Sequence, residues 1–517
     1  MKRRAQARPT RRFRSMAYGV VHSRAALGVD APAVRVEVRL AGGLPTFQVA
    51  GAQEGALRDL RDRVQSALSA LGLPFPQGRV TVNLAPADLP KRGARFDLPV
   101  ALALLRAQGQ LAPEPLQGSE FLGELYLDGT LGPLPGALAA VAASARAQRT
   151  LILPSGNAVE ASLFPAAHVR LASSLGAVLA WLQRGEALPG PPPTPPTPAV
   201  DAPDLSRIRG QAQAKGALLL AAVGGHNMLL VGPPGAGKTL LAQCLPGLLP
   251  PLSEATARAV AAVHSLAEPA PLKHRPRRPF RAPHHSLSQA ALIGGGPLAA
   301  PGEVSLAHGG VLFLDELPEF SRAALEALRE PLEAGEVYVA RARRRARYPA
   351  RFQLLAAMNP CPAGRDCQGG PSCQCPPGAA ARYRARLSGP LLDRIDLFVP
   401  VAPVPLALLR SPSAPGVTSV TARARVQAAQ DRALQRQGCL NGALAPEHTL
   451  AACAPTEAAL DTLTEAGTHL GLSARAFHRT LRLARSAADL AGAERVEVEA
   501  IHEALAFRPR FPEATPC

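Results

Sequence analysis

A glycine-rich run, Gly232-Pro233-Pro234-Gly235-Ala236-Gly237-Lys238-Thr239, follows the apolar Met228-Leu229-Leu230-Val231 and leads into Leu240-Leu241-Ala242-Gln243. Its spacing is G-x-x-x-x-G-K-S/T, in the strand–loop–helix setting that phosphate binding requires. Glycines let backbone N–H groups close around phosphate, and the helix N-terminus adds its dipole. Lys238 suits the β- and γ-phosphates of a nucleoside triphosphate, and Thr239 suits Mg²⁺. The chain has five lysines against 52 arginines, so a lysine at this one spot argues against an accidental Gly-rich turn. A second run, Val311-Leu312-Phe313-Leu314-Asp315-Glu316, is apolar and ends in two acids. As a buried strand it would set both carboxylates beside the phosphates. Asp315 is then expected to hold Mg²⁺, directly or through water, and Glu316 to polarise the attacking water. A third run, Phe352 to Met358, ends in Asn359-Pro360. Asn359 can orient the lytic water there; its plainer role is to form a turn.

Other chemistry-bearing residues cluster nearby. Gly335 to Val339 leads into Arg341, Arg343, Arg344, Arg345, Arg347 and Arg351. Two short strands around an Arg-rich tip predict a hairpin just before the third apolar strand. Arginines without an interleaved acid repel one another unless a polyanion meets them. Arg341, Arg343, Arg344, Arg345 and Arg347 are therefore candidate DNA contacts that track phosphates without reading bases. A solvated charge run is the simpler alternative. Cys361, Cys367, Cys373 and Cys375 fall in one loop rich in Gly and Pro. Four thiolates there make structural Zn²⁺ one reading. The spacing C-x5-C-x5-C-x-C is not that of a standard zinc ribbon, and unliganded thiols are the other reading. Lys238 and Asp315 stand 77 positions apart, and Lys273–His308 between them reads as an insert. His284-His285 within it either contacts DNA or simply folds the segment.

Elements must hold these groups in place. Segment 205–402 alternates short buried strands with helices, the pattern of a parallel sheet. Beyond a connector at 403–420, residues 421–510 read as helical, with helices at Thr421–Gln437, Thr456–Ala466, Ala474–Leu490 and Val498–Phe507. Residues 17–187 read as α+β. The alternation in Val34 to Leu40 marks a half-buried strand. Helices follow at Ala56–Leu71, Asp97–Ala107 and Ala137–Ala147, and strands at Val80–Leu84, Phe121–Leu127 and Leu151–Leu153. The Pro-rich, nearly uncharged stretch 188–204 reads as a semi-rigid linker. Residues 1–16 are Arg-rich, and serve as a nucleic-acid arm or lie before a true start at Met16. The net charge of +18 favours polyanion partners, nucleic acid first. Eight cysteines, with no secretory signal and no long uncharged apolar window, predict a cytoplasmic protein with reduced thiols.

Several longer motifs make the chain recognisable. Phe280-Arg281-Ala282-Pro283-His284-His285, Ile293-Gly294-Gly295-Gly296, Pro301 to His308, Asp315 to Phe320, Ser388 to Asp396 and Val82 to Lys91 resemble the ComM/YifB family. These are AAA+ proteins related to the magnesium-chelatase ATPase subunit. The resemblance implies an AAA+ P-loop core of parallel sheet with a helical C-terminal lid, preceded by a domain similar to the Lon protease domain. It implies ATP and Mg²⁺ as ligands, assembly into hexameric rings, and branch migration of DNA in recombination or natural transformation. By it Asn359 would be sensor 1, Arg394 an arginine finger reaching a neighbour's ATP, and Arg475 the sensor-2 arginine of the lid. A magnesium-chelatase-type ATPase driving metal insertion into a porphyrin is the alternative. Here the chain departs from it by its extra N-terminal domain and by lacking a D-x-S-x-S motif. Protease activity is not expected. The helix where Lon-like enzymes carry serine reads Phe96-Asp97-Leu98-Pro99, and Gly123 to Arg146 holds no lysine.

Overall fold

The computed structural model describes residues 17–508, apart from 51–54, 88, 90–93, 166, 195–201, 268–271, 273, 297–298, 342–343, 365–374, 377 and 406–416. Five strands form a wholly parallel sheet in the order Phe280–Arg281, Val311–Leu314, Gln353–Met358, Met228–Val231, Leu397–Pro400. Val311–Leu314 and Gln353–Met358 are buried along their whole length. A parallel strand covered on both faces has no polar side to alternate, which is why these segments read as unbroken apolar runs. The register matters for the site. Val231 lies opposite Met358, and Leu314 opposite Ala356. The loops that begin at Gly232, Asp315 and Asn359 therefore leave the sheet at one edge.

Helices Ser419–Gln437, Pro446–Cys453, Glu457–His469, Ala474–Ala491 and Val498–Ala506 form the helical C-terminus. Val426, Ala429, Leu481 and Ala484 share one core with Leu218 and Leu220 of helix Ala212–Gly224 and with Leu355 and Leu397 of the sheet. A buried polar knot fixes the bundle. Asp489 accepts from Arg436 at 2.8 Å and from Asn441 at 2.8 Å, and pairs with Arg485 at 3.0 Å. The expected helices are present, with the first starting at Ser419 rather than Thr421. Strand Leu397–Pro400 and helix Pro446–Cys453 were not foreseen.

The N-terminal part is a seven-stranded mixed sheet. Its order is Thr46–Ala50, Arg79–Ala85, Ala33–Ala41, Ala17–Arg24, Ser119–Phe121, Thr150–Pro154, Val169–Ala172. Ala17–Arg24 runs antiparallel to Ala33–Ala41 and parallel to Ser119–Phe121. Helix Asp97–Ala107, buried on nearly every side, packs on this sheet. Gly19 permits the close approach, because a Cβ there would stand 2.1 Å from the Ala103 carbonyl oxygen. The single strand expected over Phe121–Leu127 is two pieces, Ser119–Phe121 and Glu124–Leu125. Gly123 separates them, with its N–H on the Arg95 carbonyl at 3.1 Å.

The N-terminal part docks on the part that holds the parallel sheet. Leu138 and Leu163 pack with Ala261 and Ala262 of helix Glu254–Ala267. The Gly136 N–H donates to the Ser265 carbonyl at 2.7 Å, and the Arg258 guanidinium lies 5.4 Å from the Phe164 ring centroid. The first linker residues run back along the same part, with Thr194 Oγ1 donating to the Ser162 carbonyl at 2.7 Å. Asp204 then accepts from the Ser206 and Ser419 N–H groups, and hydrogen bonding, from the Ser206 hydroxyl first and these N–H groups after it, holds its carboxyl down at about 2. Among the described residues no helix is long and apolar enough to cross a membrane.

Candidate nucleotide site

The loop after Met228–Val231 turns into helix Lys238–Leu248, so the helix N-terminus faces the loop's interior. Gly235 and Gly237 take φ of 76° and 89°, backbone that favours glycine. A Cβ at either position would meet nothing within 4 Å, so the cradle opens onto a cavity of about 360 Å³. Pro234 to Leu240, Asp315, Glu316, Met358 and Asn359 line it. Thr239 Oγ1 donates to Asp315 Oδ2 at 2.8 Å. A hydroxyl and a carboxylate converging on one point form an all-oxygen donor set that fits Mg²⁺.

Lys238 is only 8% exposed. Its ammonium donates to the Gly232 carbonyl at 2.7 Å, the Pro233 carbonyl at 2.9 Å and Asn359 Oδ1 at 3.0 Å. Burial pushes its pKa below the ordinary value, while Asp315 and Glu316 act against that. Glu316 has φ 53° and ψ 48°, left-handed backbone in a residue with a Cβ. Such a conformation costs on the order of 1 kcal/mol and gathers at functional sites. The turn aims its half-exposed carboxylate toward the cavity, where His285 Nδ1 lies 3.3 Å from Glu316 Oε2. His285 in turn packs on His284, with ring centroids 4.0 Å apart. The insert thus reaches the second acid of the pair.

Arg394 and Arg475 do not line this cavity. They lie together elsewhere on the same chain, both on Glu333 Oε1, with Arg475 Nη2 at 3.5 Å. Arg479, buried on the C-terminal helix Ala474–Ala491, grips the same region. Its Nη1 donates to the Asp393 carbonyl at 2.6 Å and the Ile395 carbonyl at 2.9 Å. Sequence reasoning missed Glu333 and Arg479, and it gave His285 a DNA or folding role rather than a place beside Glu316. No periodicity or motif marks Glu333, and Arg479 sits within a motif that supplied no role for it.

The Arg-rich segment is an antiparallel hairpin, Glu336–Arg341 with Arg344–Pro349. It places Arg341 and Arg344 as a pair at the tip and Arg345 opposite Ala340. Arg343 lies outside the described residues. Val337, Val339, Ala346 and Tyr348 turn inward and are buried. Tyr338, 53% exposed, faces outward in register with the exposed Arg347. Of the four clustered cysteines, Cys367 and Cys373 lie outside the described residues. Cys361 is buried and Cys375 half-buried. No group of three or more His, Cys, Asp or Glu among the described residues could hold a metal ion, so zinc gains no support.

A parallel sheet with a phosphate loop, an acid pair two strands over and the Asn359 strand between them defines the class: an AAA+-type P-loop ATPase. Family models agree on the type. Magnesium chelatase, subunit ChlI, matches residues 204–408; subunit ChlI of Mg-chelatase matches 36–157; and the ChlI C-terminal model matches 416–508. The uncharacterized protein YifB of Salmonella typhimurium is 44% identical over 494 residues, covering 95% of this chain and 97% of its own. YifB of Escherichia coli is 45% identical over 497 residues, covering 95% and 97%. The competence protein ComM of Haemophilus influenzae is 43% identical over 499 residues, covering 95% and 98%. The chain belongs to the ComM/YifB family of magnesium-chelatase-like proteins.

Proposed function

We propose that this protein is a Mg²⁺-dependent ATPase that works as a ring-forming motor on branched or single-stranded DNA, moving branch points during recombination or natural transformation. The observation that carries the reading is the hairpin's attachment. Its last residue, Pro349, stands four positions before strand Gln353–Met358, whose far end leads directly into Asn359 in the nucleotide cavity. Arg347 and Tyr338 on its outer face supply a phosphate partner and a surface on which a base can stack. The relative named a competence protein supports the same direction.

In this reading the loop amides and Lys238 bind the triphosphate, and Thr239 and Asp315 hold Mg²⁺, which supplies charge neutralisation at the phosphates. Glu316 accepts the proton of the attacking water as the new O–P bond forms and the bridging O–P bond breaks, giving ADP and phosphate. Asn359 orients that water. Arg394, the expected arginine finger, and Arg475, the expected sensor-2 arginine, both stand away from this chain's own cavity and are read as serving a neighbouring subunit's ATP, where a cation offsets charge developing on the transferred group. The N-terminal part, read as a Lon-like fold, serves assembly or DNA handling. At the start of its central helix stands Asp97, buried and bound to Arg63 Nε at 2.7 Å.

The test is ATPase rate with and without forked DNA, together with movement of a synthetic four-way junction, using Glu316→Gln as control. Hydrolysis by the wild type with neither stimulation nor junction movement would remove the DNA reading. A second reading, an ATPase driving metal insertion into a porphyrin, is favoured by the three chelatase-subunit matches. ATP-dependent Mg²⁺ insertion with partner subunits, and no response to DNA, would select it.

A further inference from the structure

We infer that Glu333 is a latch: it occupies Arg394 and Arg475 until a neighbour's triphosphate competes for them. The inference rests on the ring-motor reading of those two arginines. Both guanidinium groups converge on the same oxygen, Glu333 Oε1, from positions 61 and 142 residues away. Convergence of two cations on one anion is the arrangement a phosphate oxygen would receive. Arg394 is only 9% exposed, and its Nε has no hydrogen-bond partner. One buried donor is thus left over. A triphosphate presents several oxygens and suits the planar guanidinium fork better than one carboxylate oxygen does. Burial holds the Arg394 pKa below its ordinary value; Glu333 opposes that shift and Arg475 adds to it.

The acid itself is placed to let go. Its side chain is 54% exposed, so the pair it makes is screened by solvent and worth little. Glu333 sits in the last turn of helix Arg329–Ala334, two residues before Gly335, whose φ of 69° turns the chain into the hairpin at Glu336. Any movement of the hairpin therefore moves the latch.

The experiment measures ATPase rate of the full chain against protein concentration for wild type, Glu333→Gln, Arg394→Ala and the Glu333→Gln/Arg394→Ala double variant. The latch predicts that Glu333→Gln reaches half-maximal specific activity at a protein concentration about two- to fivefold lower than wild type, the range set by a screened pair. It also predicts an unchanged melting temperature, because a half-exposed acid contributes little to the fold. Arg394→Ala should be inactive at every concentration, and the double variant should match it, so the gain depends on the arginine. An unshifted or higher half-maximal concentration for Glu333→Gln, with Arg394→Ala inactive, overturns the latch alone. Wild-type activity in Arg394→Ala overturns the reading on which it rests.

Discussion

Lys238 is a three-donor cation held by three acceptors, and only one of them, Asn359 Oδ1 at 3.0 Å, belongs to a side chain. To reach a triphosphate the ammonium must surrender at least one of these bonds. Asn359→Ala removes the one that can be removed. A hydrogen bond to a charged group is worth about 1.5 kcal/mol net, or about tenfold in a dissociation constant. The bond opposes phosphate binding, so its loss should tighten ATP binding by up to about tenfold. Turnover should move the other way, falling by about 100-fold as the group that orients water is lost. Asn359→Asp keeps the acceptor and adds charge, so it should tie Lys238 more firmly and weaken ATP binding. Titration with a fluorescent ATP analogue gives the affinity, and steady-state phosphate release gives kcat. Weaker binding in Asn359→Ala with kcat unchanged would refute the reasoning, because it would make Asn359 a binding group with no part in turnover.

Other expectations follow from the same geometry. Glu316→Gln should bind ATP as the wild type does and lose hydrolysis by about 10²–10⁴-fold, measured by single-turnover phosphate release. Tyr338→Ala should cost about 1–3 kcal/mol in affinity for single-stranded DNA if the exposed ring stacks one base, whereas Arg347→Ala should lower the salt slope of binding by about one. Fluorescence anisotropy at several salt concentrations separates the two. Burial holds the Glu160 carboxyl at about 7 against its ordinary 4.5, with the Asn157 hydrogen bond opposing. An acid whose folded pKa is raised keeps its proton in the native state while the unfolded chain loses it, so stability falls as pH rises from about 4.5 to about 7. Glu160→Gln should therefore stabilise the protein by up to about 3 kcal/mol at pH 8 and little at pH 4.5, read from thermal melts at both.

The parts legible in sequence were those where one physical demand dominates several consecutive residues. Strands 228–231, 311–314 and 353–358 are covered on both faces, so each reads as an apolar run whose next residue carries the chemistry. The hairpin announced itself by repeated charge around a turn. Strand Leu397–Pro400 did not, because it is four residues long and ends in a proline, which reads as a break. Ala17–Arg24 was hidden differently: its Gly19, His22 and Ser23 break the apolar pattern, and Gly19 is there for a close-packed helix. Contacts made at long sequence separation left no local trace. Glu333 meets Arg394 across 61 positions, and His285 meets Glu316 only because Phe280–Arg281 pairs beside Val311–Leu314.

These long-range contacts join the nucleotide cavity to the hairpin through packed elements. Gln353–Met358 is a rigid strand in the middle of the sheet, about 20 Å long at ordinary strand rise. One end carries Asn359, bonded to Lys238; the other is four positions from the hairpin. The hairpin's inner face shares a core with Leu27 and Val29 from the N-terminal part, and Gly28 packs there against the Arg347 backbone. On the side of the helical C-terminus, Arg479 clamps the carbonyls on either side of Arg394. Packed elements of this kind have few ways to move and shift as units. Exchange of Asn359 for a phosphate at Lys238 would fall at one end of this strand. The hairpin precedes its other end, and the N-terminal part packs against that hairpin.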